Sequence, residues 1–96
     1  MNADELMQEK MAHWGFDVSS DGKWFRELWG GFTAEIFGND NDLFADPDDE
    51  VWQCQLLDED DNIFLATDEP LALDNVLLEF KKYRAELLRR HPRSGH

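Results

Sequence analysis

Apolar residues recur along the chain with two different periods, and the switches between them outline the fold. Near the start, Met7, Met11 and Trp14 repeat at i, i+4, i+7 with Leu6 beside them, which predicts an amphipathic helix over residues 3–14. Asp4 and Glu5 lie in its first turn, where the helix dipole favours negative charge, and Gly15 is its expected stop. Residues 16–19 form a short extended stretch, and Asp21-Gly22 signals a tight turn. The period then becomes two. Residues 24–28 and 32–37 read as strands joined around Gly30-Gly31, with Phe32, Ala34 and Ile36 facing one way and Thr33 and Glu35 the other.

Residues 38–49 are rich in Asn, Asp, Gly and Pro and read as a loop, with Leu43 and Phe44 as its large apolar residues. Alternation returns over 50–57, where Trp52, Cys54 and Leu56 point inward and Gln53 and Gln55 outward. Residues 58–62 turn the chain and 63–67 bring it back. Asp68 or Glu69 is the expected cap of a second helix with Pro70 in its first turn. Leu73, Val76, Leu77, Phe80, Tyr83 and Leu87 carry that helix to about Arg90, and His91-Pro92 ends it. The expected architecture is a single α+β domain over 1–96. It has a short N-terminal helix, an antiparallel meander of three or four strands, and a long C-terminal helix packed on one face.

Charge changes the picture more than composition does. The chain carries 22 Asp plus Glu against 9 Lys plus Arg, for a net −13. Residues 27–80 hold sixteen acids and no Lys or Arg, whereas 81–96 hold six bases and one acid. Such a balance argues against direct binding to nucleic acid or an anionic membrane. No apolar run approaches the roughly 20 residues of a membrane span. The polar, acidic opening reads as no signal peptide, so the expected location is the cytoplasm. The acids of 27–80 must be solvated, bind cations or meet a basic partner, and the basic tail from Lys81 to Arg93 is too small to neutralise them all.

The stock for catalysis is thin. His13, His91 and His96 are distant in sequence from Cys54, which reads as a buried structural thiol. Asp58, Asp60, Asn62 and Glu69 match four positions of a calcium-binding EF-hand loop, but Ile63 stands where its glycine belongs, so an acidic hairpin turn is the better reading. Pro47-Asp48 and Glu79-Phe80-Lys81 spell the letters of a metal-dependent nuclease motif, yet the second half lies in a periodic helix instead of the required strand. A carboxylate-pair hydrolase would need a deep cleft, which a chain this short rarely builds. No enzyme activity and no cofactor are expected.

The favoured partner is a basic, nucleic-acid-binding protein. Asp46, Asp48 and Glu50 form an i, i+2 series, read as strand-borne with a spacing of about 6.6 Å. Asp40 and Asp42 extend it, and Asp58, Glu59, Asp60 and Asp61 form a second cluster. Trp29, at the Gly30-Gly31 hairpin tip, is the expected aromatic anchor. In charge, length and strands-then-helix layout the chain resembles the small acidic inhibitors of phages and mobile elements, such as anti-CRISPR and anti-restriction proteins. It is similar in the same respects to antitoxins and nuclease-immunity proteins. The resemblance implies a non-enzymatic inhibitor that mimics nucleic acid, and no site residue is carried over from it. The alternative is an adaptor with an exposed aromatic patch, its acidity serving solubility.

Overall fold

A computed structural model describes residues 3–93; His96 lies outside them. Helix α1 (Ala3–His13) is followed by strands β1 (Asp17–Val18), β2 (Trp24–Glu27), β3 (Thr33–Phe37), β4 (Gln53–Leu57) and β5 (Ile63–Ala66), then helix α2 (Leu73–Arg90). The strands form one antiparallel sheet in chain order, and α2 packs against β4. The α+β reading holds, with five strands in place of three or four. The extra one is the two-residue β1, which pairs Asp17 with Phe25 and Val18 with Trp24. Its turn closes through the Ser19 N–H to the Lys23 carbonyl (2.8 Å) and the Lys23 N–H to Ser19 Oγ (3.1 Å), with Gly22 at φ 81°. Among the described residues no helix is long and apolar enough to cross a membrane.

The termini of the helices show local and long-range control in turn. At the end of α1, Gly15 adopts φ 82°. Its N–H donates to the Ala12 carbonyl (2.9 Å) and the Phe16 N–H to that of Met11 (2.8 Å), the paired bonds of a Schellman motif. Phe16 and Met11, both buried, supply its hydrophobic contact. The start of α2 departs from expectation. Asp68 and Glu69 do not cap it; the cap position is Ala72, with no side-chain bond. The cause lies in β4's approach. Trp52 and Leu71 exchange both backbone hydrogen bonds (2.9 and 2.8 Å), so Leu71 stays extended and Pro70 precedes the helix. The first helical N–H, that of Leu73, then donates to the Pro47 carbonyl (2.9 Å), a backbone substitute for a capping side chain.

Alternation sorts the sheet as expected. Trp24, Ala34, Ile36, Cys54 and Leu56 are buried on the helix-covered face, against Leu73, Val76, Leu77, Phe80 and Leu87 of α2 and Met7 and Met11 of α1. On the other face Phe25, Phe37, Gln53, Gln55 and Leu57 are half-buried. Burial in the apolar core, reinforced by the negative charge of Glu79, pushes the Cys54 thiol up to about 12. The reactive thiolate is therefore absent at neutral pH. Iodoacetamide at pH 8 is expected to leave Cys54 unlabelled in the folded chain and to label it on denaturation; rapid native labelling would contradict this placement.

Candidate functional site

The acidic residues singled out by the sequence are exposed, except Asp58, which is half-buried. They are not, however, where the period-two reading put them. Asp46, Asp48 and Glu50 lie on turns, because β4 begins only at Gln53. Asp46-Pro47-Asp48-Asp49 is a β-turn closed by the Asp49 N–H to the Asp46 carbonyl (3.1 Å), and Asp46 Oδ1 accepts from the Asp48 N–H (2.9 Å). Proline at the second position and aspartate at the first favour this turn, a local signal that outweighs apparent alternation. Asp40, in the 3-10 turn Asn39–Asn41, adopts a left-handed φ of 56°. Asp42 Oδ1 accepts from the Phe44 N–H (3.0 Å).

This long connection is pinned to the core by its carbonyls. The Trp24 indole N–H donates to the Leu43 carbonyl and the Trp52 indole N–H to that of Asp46, each at 3.1 Å. With the Leu73–Pro47 bond, three donors from the core and from α2 hold the loop that presents Asp40, Asp42, Asp46, Asp48 and Glu50. Asp49, which the sequence reading passed over, is exposed among them.

The second cluster lies on the β4–β5 hairpin turn, so the segment joins two strands and not two helices as an EF-hand requires. Asp58 Oδ1 accepts from the N–H groups of Asp60 and Asn62, both at 2.9 Å. Bonds from these two amides, chiefly Asn62, hold its carboxyl below the ordinary value. Asp61 takes φ 63°, and Glu59 packs against the β2–β3 turn. There Gly31, at φ 80°, leaves no room for a side chain: an added Cβ would meet Glu59 Cβ at 2.9 Å. Gly31→Ala is thus expected to cost about 1–3 kcal/mol, from the left-handed backbone and the overlap together, as read by denaturant unfolding.

Sheet register decides how the clusters relate. Thr33 pairs with Leu57 and Phe37 with Gln53, so the 58–62 turn and the 38–52 connection leave opposite ends of the sheet. The five residues of β4 alone separate them by about 13 Å. Among the described residues neither cluster forms an ion pair. Among the described residues the ion pairs are Lys10–Asp74, Lys23 with Asp21 (3.8 Å) and Glu35 (3.6 Å), Lys82–Glu79 (3.7 Å), and Arg89 and Arg90 with Glu86. Within the basic tail Lys82, Arg89 and Arg90 pair inside α2, and among the described residues no cation pairs with either cluster. No group of three or more ligating side chains suited to a metal ion occurs among the described residues.

Trp29 sits at the hairpin tip as expected, but the chain itself engages it. Its indole N–H donates to the His91 carbonyl (2.6 Å), and the Arg93 guanidinium lies 4.8 Å from its ring. Phe32, Phe64 and His91 meet one another edge-on or tilted, with ring centroids 5.2–5.6 Å apart. Comparison with known protein families, with curated proteins and with solved structures finds no match to this chain.

Proposed function

We propose that this protein is a small, non-enzymatic inhibitor that binds the basic groove of a nucleic-acid-processing protein and excludes the nucleic acid, in the manner of the inhibitors of phages and mobile elements. The observation that supports the reading is the acidic 38–52 connection. Its carboxylates are exposed, meet no cation among the described residues, and sit on a backbone pinned by Trp24, Trp52 and Leu73. Anchoring lowers the ordering cost of binding. Uncompensated charge steers a basic partner toward the loop. The 58–62 turn lies at the other end of the sheet, and the 38–52 connection presents more carboxylates.

The adaptor alternative loses Trp29 as a free anchor, since His91 and Arg93 engage it. It retains the half-buried outer sheet face, where Phe25 and Phe37 flank the Lys23–Glu35 pair. The two readings separate by competition. The immobilised chain is used to capture its partner from the source cell, and duplex DNA and RNA are added to the complex. The inhibitor reading expects nucleic acid to release the partner. A partner that binds nucleic acid and this chain simultaneously would refute it.

A further inference from the structure

In a chain of net −13, one surface is positive. Lys81 and Arg84, one turn apart on α2, line two adjoining grooves. The first, of about 300 Å³, is completed by Trp29, Ala85, Leu88 and Arg93; the second, of about 240 Å³, by His13, Trp14, Arg26 and Phe80. Sixteen acids lie in residues 27–80, yet among the described residues no Asp or Glu lines either groove. The carboxylates nearest along α2, Glu79 and Glu86, pair with Lys82 and with Arg89 and Arg90. Among the described residues Lys81, Arg84, Arg26 and Arg93 form no ion pair; Arg26 donates to the Trp14 carbonyl (3.1 Å) and Arg93 stacks on Trp29. Burial and the like charges of Arg84 and Arg93 lower the pKa of Arg26, as expected of cations gathered without a counter-ion.

We propose that this groove binds a compact organic anion. Its phosphate or carboxylate sits between Lys81 and Arg84, and its flat ring lies along Ala85 and Leu88 beside the Trp29–Arg93 pair. The guanidinium and ammonium supply charge-assisted hydrogen bonds, and the indole and aliphatic wall supply an apolar surface. The first groove has the volume of a small ligand site. Screening over about 8 Å at physiological ionic strength shields such a ligand from the acidic loop at the far end of the sheet. An extended polyanion is disfavoured: Gly31, two residues beyond Trp29, packs on Glu59, so a strand leaving the groove there meets the carboxylates of the 58–62 turn.

The test titrates the full chain with AMP, with the aromatic carboxylate 1-naphthoate, with adenosine and with a short single-stranded oligonucleotide, reading amide NMR shifts. Saturable binding of AMP or naphthoate is expected, with shifts at Trp29, Lys81 and Arg84. Adenosine should bind at least about tenfold more weakly than AMP, and Lys81→Ala/Arg84→Ala should lose at least about tenfold, since each charged hydrogen bond exceeds that factor. Both substitutions are at exposed helix positions where alanine is favourable, and an unchanged melting curve verifies the fold. No saturable response to either anion, equal binding of adenosine and AMP, binding indifferent to the double substitution, or tighter binding of the oligonucleotide would each overturn the proposal.

Discussion

Replacing Phe80 with alanine is expected to lower stability by about 3–5 kcal/mol, the usual result of deleting a buried aromatic ring. Phe80 is 1% exposed, on the buried face of α2. Its ring stands edge-on to Phe16 (5.1 Å) and Trp14 (6.3 Å), and the Arg26 guanidinium lies 5.7 Å from it. No single neighbour can fill the cavity, because those around the ring come from the segment after α1 and from β2. A small domain has only about 5–15 kcal/mol to lose, so the variant would be marginal or unfolded. Leu78→Ala on the same helix is the control. Leu78 is 54% exposed, and its loss should fall within about 0.5 kcal/mol of zero. Guanidinium unfolding of both checks the assignment, and equal midpoints would show the helix face to be wrong.

The second large effect is expected on binding. Asp48→Lys/Asp49→Lys/Glu50→Lys should weaken the partner complex by at least about tenfold. Each exposed contact of about 0.5–1 kcal/mol becomes a repulsion of similar size, and three such reversals compound. Asp46 and Asp58 are left intact because their carboxylates hold backbone amides. Stability should hold or rise slightly, since the reversals relieve repulsion among the sixteen acids of residues 27–80. Glu59→Lys/Asp60→Lys, at the other end of the sheet, should weaken binding less. Isothermal titration and thermal melting on the same preparations read both quantities. Binding unchanged in both variants would favour the outer-face adaptor.

Much of the architecture was legible because local patterns agreed with the tertiary result. The stripe from Leu73 to Leu87, the alternation of Trp52, Cys54 and Leu56, and the Gly15 stop each have a cause within a few residues. The misreadings arose where a distant or competing contact decided. Leu71 stays out of α2 because Trp52 pairs with it, which no nearby residue announces. Asp46, Asp48 and Glu50 alternate like a strand, yet Pro47 and the Asp46 side chain close a turn. The acidic residues were identifiable by type, but their division between opposite ends of the sheet follows from register. Trp29's tether to His91 and the groove joining Trp14, Arg26 and Arg84 assemble residues far apart in the chain, beyond the reach of periodicity.

If uncompensated acid is what binds the partner, the complex must be sensitive to screening. The most direct measurement is the dissociation constant of the captured complex between about 0.1 M and 1 M salt, over which the Debye length shrinks from about 10 Å to 3 Å. The mimic reading predicts a steep, continuous loss of affinity with rising salt, carried mainly by a slower association rate. An affinity that stays constant or strengthens across that range would contradict it.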